Sequence, residues 1–311
     1  MSFWIGTKVR RSAMTHSKTQ LSSGGIASLV CLLEVAAPKP GNVHRAADFE
    51  DVTFEDFATS AVVLGQVIDA SEDLSLGDTI LAAVTQTNTV VGTNTNLGIV
   101  LLLVPLAKLA SRSDVELLDQ SVVQEFLGEL PKSTGAKVFE AIRLANPGGL
   151  GESDQMDVQS SAGSEVDLLA AMELAKDRDA IALQYVTGYR KIFELGVPLL
   201  VRGRAMFESL SHAIVYAHVA LMADQADSLI ERKCGADIAN NSQTLAARAH
   251  DILDADAPTQ DQLESYWAAV GELDFWLRSD GHRRNPGTTA DLIAASLFVA
   301  VYNGVIEPPF R

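Results

Sequence analysis

The run Leu97-Gly98-Ile99-Val100-Leu101-Leu102-Leu103-Val104-Pro105-Leu106-Ala107-Lys108-Leu109 is the most apolar of the chain, and its reading decides the class of the molecule. It is shorter than the roughly 20 residues that a bilayer span needs, and Pro105 and Lys108 interrupt it. It reads as a helix of a protein core. Upstream, Ser75 to Val91 reads as another helix, ended by Gly92-Thr93-Asn94-Thr95-Asn96. Before that, Thr53 caps a helix from Phe54 with Phe57, Ala61, Leu64 and Ile68 at three- and four-residue spacing. Ser22-Ser23 caps the first helix, which runs through Leu29, Leu32 and Leu33 to Ala36, where Pro38 stops it.

Downstream the same periodicity continues. It predicts helices over Asp114 to Leu127, Pro131 to Ala145, and Glu165 to Phe193 as one long helix or two in line, broken by Pro198. Further helices follow near 204–223, 225–233, 236–253 and Pro258 to Leu277. Asn285-Pro286-Gly287 opens the last one, in which Leu292 to Val301 is almost wholly apolar and therefore buried on most sides. Alternating strand patterns are scarce, and no internal repeat or long linker appears. The expectation is an all-α fold, a single-domain globular multi-helix bundle over residues 21–311. Residues 1–20, basic and without an apolar stretch, read as a disordered extension, with Met14 an alternative start.

The chain has 311 residues, 47% of them hydrophobic, enough for a substantial core, and carries a formal charge of −16. So acidic a chain has no general affinity for nucleic acid or an anionic membrane. An anionic ligand would need a local basic loop or a divalent cation. Cys31 and Cys234 are the only cysteines, lie in apolar helical patterns and have no metal-ligand spacing, which points to a reducing cytoplasm and no disulfide framework.

Chemistry concentrates in the loops. Glu34-Val35-Ala36-Ala37-Pro38-Lys39-Pro40-Gly41-Asn42-Val43-His44-Arg45, with Asp48 and Asp51 beyond, mixes cations, carboxylates and fixed backbone. It reads as a phosphate and metal-ion wall. Asn146-Pro147-Gly148-Gly149-Leu150-Gly151-Glu152 brings glycine amides that can approach a ligand, and the polar residues 152–164 read as a lid. No strand precedes those glycines, so a dinucleotide fingerprint is rejected. Asp291 stands at the start of an apolar helix, where it is either a cap or a ligand. Glu173 and Asp177 read as a solvated face, and His212 and His218, which do not share a face, as core or surface.

Pro38-Lys39-Pro40-Gly41 with Asp51, Gly92-Thr93-Asn94-Thr95 with Gly98, Gly151-Glu152, Asp227-Ser228 with Arg232, and Asn285-Pro286-Gly287 with Ala290-Asp291-Leu292 together resemble the triphosphoribosyl-dephospho-coenzyme A synthases, from about Leu29 to Val301. The resemblance implies an all-α, Mg²⁺-dependent transferase. Such an enzyme moves a triphosphoribosyl group from ATP to the ribose 2′-hydroxyl of 3′-dephospho-coenzyme A and releases adenine. It implies Glu34, Asp51 and Glu152 as catalytic groups, and Asp51, Asp227 and Asp291 as metal ligands. Substrate and phosphate contacts fall to Lys39, Gly41, His44, Arg45, Asn94, Thr95, Asn96, Arg232 and Gly287.

The expected partners are thus ATP and dephospho-coenzyme A-like molecules, with no nucleic acid and no membrane; a homodimer is left open. Phe49, Leu97 and Leu150 stand where the citrate-lyase-type pattern has basic or titratable residues. That set resembles a divergent branch from organisms with tetrahydromethanopterin-type one-carbon metabolism, whose substrate would be another phosphoribosyl compound. A non-catalytic nucleotide-binding helical protein is the third reading.

Overall fold

The computed structural model describes residues 21–146, 166–253 and 257–310. Fourteen α-helices follow one another among them. They are α1 (Ser23–Ala36), α2 (Phe54–Asp69), α3 (Leu76–Val91), α4 (Leu97–Ala110), α5 (Gln120–Gly128), α6 (Thr134–Ala145) and α7 (Leu168–Ala175). Then come α8 (Ala180–Thr187), α9 (Val197–Met206), α10 (Leu210–Asp224), α11 (Ser228–Cys234), α12 (Ala236–His250), α13 (Gln260–Arg278) and α14 (Gly287–Tyr302). The only extended segment among the described residues is the short Ser279–His282, so the all-α class holds. No helix among them is long and apolar enough to cross a membrane.

The expected caps form. The Ser22 hydroxyl accepts from the Gly25 amide, Ser75 from Asp78, and Thr53 makes a reciprocal box with Asp56. Of the one long helix or two in line expected over 165–193, two α-helices form, followed by a π turn. α7 ends at Ala175, and the Asp179 carboxylate then accepts from the amides of Ile181 and Ala182 to start α8. An aspartate that can bond its own following amides prefers a new N-terminus to a helix interior. Left-handed Gly188 and Tyr189 close α8, and a π-helical turn, Ile192–Gly196, leads into α9. Pro198 therefore falls in a first turn, where its missing donor costs little, and does not break the helix. The same logic shortens the helix expected from Asp114, because Asp119 caps α5. The 1–20 extension and the 152–164 lid lie outside the described residues.

The core is built on α4 and α14, buried along nearly their whole length and packed on each other, with α1, α9 and α10 around them. Pro105 inside α4 has no amide for the Leu101 carbonyl four residues back. The Tyr185 hydroxyl donates to that carbonyl at 2.6 Å, and the Tyr189 hydroxyl is shared between it, at 3.3 Å, and the Leu102 carbonyl, at 3.2 Å. Both tyrosines are fully buried, and their hydroxyls stay protonated because burial pushes them well up. The helix starts left at one end of this core, with the ends of α1, α3 and α6, surround the site described next.

Candidate active site

A cavity of about 1210 Å³ opens between the end of α1, the loop after it, the α3–α4 loop, α6 to α8, α11 and the start of α14. Its polar wall groups include Glu34, Asn42, Asp51, Asn94, Thr95, Asn96, Arg178, Asp179, Arg232, Lys233, His282, Asn285 and Asp291. Phe49, Phe57, Phe139, Ile142 and Met172 supply apolar wall. The volume exceeds the roughly 300–1000 Å³ of ordinary small-molecule sites, which leaves room for two ligands side by side.

At the floor, Glu34 in the last turn of α1 is 4% exposed and faces the cavity. Its carboxylate takes the Lys39 ammonium at 2.8 Å. Lys39 itself is fully buried and does not line the cavity. Asp291 enters from α14. Burial pushes its carboxyl well above the usual range, and the negative charges of Glu34, Asp227 and Asp179 push the same way, with Arg232 opposing. No described residue hydrogen-bonds or ion-pairs with it. It lies hard against the start of α4: a Cβ on Gly98 would stand 2.0 Å from an Asp291 oxygen, so a side chain there would push the carboxylate aside.

The α4 start contributes three of the sequence-assigned residues. Asn94 Oδ1 accepts from the Leu97 amide at 3.1 Å, and the Thr95 hydroxyl bonds that of Ser60 at 2.6 Å. Asn96 is 7% exposed on the cavity wall, and its Nδ2 has no partner. A buried amide donor without an acceptor costs free energy unless a ligand supplies one. Gly287, the first residue of α14, also lines the cavity.

The cationic side comes from α11. Arg232 Nη1 stands 3.4 Å from Asp179. Lys233 Nζ donates to the neutral Asn285 Oδ1 at 3.2 Å, and no carboxylate of the described residues pairs with it. Burial, then the neighbouring Arg232, lowers its affinity for the proton. At the rim, Asp51 Oδ1 lies 3.6 Å from His282 Nδ1, and the His282 ring lies 5.2 Å from Phe49.

Five sequence-assigned residues lie elsewhere. Besides Lys39, Gly41 holds a φ of 72° and donates its amide to Asp274 at 2.7 Å. His44 accepts from the Ala46 amide, is held neutral first by its burial, and lies off the cavity, as does exposed Arg45. Asp227 is a buried N-cap turned away from it. Asp51, Asp227 and Asp291 therefore do not converge, and no three acidic, histidine or cysteine side chains cluster for a metal among the described residues. Glu152 and Leu150 lie outside those residues.

Sequence reasoning did not single out Lys233, Asp179, His282 or Asn285 as site residues. The Arg232-Lys233 pair was the available signal for the first and the Asn285-Pro286-Gly287 motif for the last, but Asp179 and His282 are joined to the site only by the fold.

The chain matches the family model described as ATP:dephospho-CoA triphosphoribosyl transferase over residues 22–307. No curated protein matches it. Among solved structures it is similar to one from Archaeoglobus fulgidus, described provisionally as a triphosphoribosyl-dephospho-CoA synthase. The two share 26% identity over 79% of this chain and 98% of that one, with a TM-score of 0.60. The family match runs from the first helix to past the last and so takes in every described wall of the cavity. The chain belongs to the ATP:dephospho-CoA triphosphoribosyl transferase family and is a transferase.

Proposed function

We propose that the cavity is where the triphosphoribosyl group of ATP passes to a hydroxyl of dephospho-coenzyme A or a closely similar acceptor, with loss of adenine. The observation that carries this reading is the unpartnered Asp291 carboxylate beside Glu34 on a cavity large enough for donor and acceptor together. The bond from the ribose anomeric carbon to adenine breaks, and one from that carbon to the acceptor oxygen forms. Glu34 takes the acceptor's proton. Asn96 Nδ2 donates a hydrogen bond to the departing base, which leaves with the bonding pair and takes its proton from water, while Glu34 returns the acceptor's proton to solvent. Lys233, with Arg232 beside it, holds the phosphate chain.

Mg²⁺ in such sites needs one or two carboxylates, with waters and phosphate oxygens completing the shell. Asp291 fits that donor set, being desolvated and unpartnered. Asp227 does not, because both its oxygens are engaged. When bound, the cation would neutralise the polyphosphate and the acidic floor. The reading places the enzyme in the cytoplasm, where Cys31 and Cys234 stay free.

The test is adenine release from Mg·ATP with and without dephospho-coenzyme A, repeated with EDTA. Adenine should appear only with acceptor and metal. Failure of Mg·ATP to bind by calorimetry would leave a non-catalytic helical protein. Neutral Phe49 and Leu97 on the wall favour a second reading, an acceptor with fewer anionic groups from one-carbon cofactor synthesis. Binding of ATP without turnover on dephospho-coenzyme A would point there.

A further inference from the structure

We propose that Lys39 is a positioning residue that fixes the Glu34 carboxylate on the cavity floor and makes no contact with substrate. This rests on Glu34 being the proton acceptor of the preceding reading. Pro38 and Pro40 flank Lys39, and the Lys39 amide bonds the Ala37 carbonyl at 2.7 Å while its own carbonyl accepts from Asn42. That tight turn folds the side chain back beneath the end of α1. There the ammonium meets three acceptors: Glu34 Oε1 at 2.8 Å, the Glu34 carbonyl, and the Ala37 carbonyl at 3.4 Å.

An ammonium has three protons, so this inventory is complete and leaves none for a phosphate. The side chain is fully buried and forms no part of the cavity wall. His218, packed near it on α10, is itself fully buried and neutral and offers no competing charge. Lys39 thus binds the Glu34 carbonyl in the last turn of α1, the carbonyl of its C-cap Ala37 and the side chain of Glu34 together. The helix end and the catalytic carboxylate are set by a single group, and the second carboxylate oxygen remains for the ligand. A buried charge left without its partner is strongly disfavoured, so the carboxylate keeps this place only while the lysine is there.

The experiment measures adenine release and, separately, Mg·ATP affinity by calorimetry for Lys39→Met, Glu34→Gln, the double variant and Glu34→Asp. Each of Lys39→Met and Glu34→Gln should lower kcat by about 100-fold, with KM and Kd for ATP unchanged. The double variant should be no slower than the slower single one, because both act through one carboxylate. Glu34→Asp keeps the buried pair's charges, so it folds even where Lys39→Met does not. It withdraws the carboxylate by one methylene and should lose about 10-fold in kcat alone.

A rise in Kd for ATP in Lys39→Met with kcat retained would make Lys39 a phosphate ligand and overturn the inference. Losses that multiply in the double variant would overturn it as well, as would an unchanged Glu34→Asp. Full activity of Glu34→Gln would instead remove the reading of Glu34 on which it rests.

Discussion

Asp227 and Asp291 look alike in the sequence, each a carboxylate near the start of a helix, yet the fold treats them in opposite ways. At the α11 start, Asp227 Oδ1 accepts from the amides of Leu229 and Ile230 at 2.9 and 3.1 Å. Its Oδ2 accepts from the amide and hydroxyl of Thr289, both at 2.7 Å, and so ties α11 to α14. Asp291, one short step further along α14, has no such partner and opens on the cavity. Burial raises the proton affinity of both. The shift alone therefore does not tell structure from function; the count of satisfied lone pairs does. A buried carboxylate with every acceptor site filled holds the fold together, and a half-buried one with none filled among the described residues is open to a ligand.

The comparison is broken most directly by Asp291→Asn. Adenine release should fall by about 100- to 1000-fold, while the protein becomes more stable at neutral pH. The sign follows from linkage. The folded-state pKa of Asp291 lies above the unfolded value of about 3.9, so the folded state binds more protons in that window and loses stability as pH rises through it. The asparagine variant lacks this loss. Its advantage in thermal melts should be absent near pH 3 and grow from about pH 4 upward. A variant less stable than wild type at pH 7 would show that Asp291 is structural after all.

Asp227→Ala should do the reverse. Four donors lose their acceptor, two of them the amides of the α11 N-cap, at about 3 kcal/mol of unfolding free energy. Activity per folded molecule should survive, which urea denaturation and a normalised assay would check. Next in size, Lys233→Met should raise KM for ATP about tenfold, equivalent to about 1.4 kcal/mol, with kcat held. An unchanged KM would put the phosphates elsewhere. The smallest effect expected is that of Thr289→Val, which removes one of the two Thr289 donors to Asp227, at about 1 kcal/mol. Loss of turnover there without loss of stability would mean that Asp227 reaches the chemistry.

The helices were legible because their signals are local. Ser22, Thr53 and Ser75 mark real starts, and the Leu97 run is the core helix its length and interruptions predict. Boundaries slipped where an aspartate could cap in mid-pattern, as at Asp119 and Asp179. The cavity wall was legible where it follows chain order, at Asn94 to Asn96 and at Gly287 and Asp291. It was not legible at Lys39, because nothing in a Pro-Lys-Pro-Gly loop says whether the ammonium turns out to a ligand or back to a residue five positions earlier. Nor could it be read at His282, whose ring meets Phe49 only after more than 200 residues of chain have been folded between them.

The proline in the middle of α4 ties its own fate to a distant helix. With Pro105 present, the Leu101 carbonyl depends on the hydroxyls of Tyr185, at 2.6 Å on a helix that also carries Ile181 into the cavity wall, and of Tyr189, at 3.3 Å. A lineage that replaced Pro105 by a residue with an amide could afterwards let Tyr185 drift to phenylalanine. One that changed both tyrosines first would strand that carbonyl in the core. One missing hydrogen thus ties three positions together, and the two tyrosines can both be lost only after the proline.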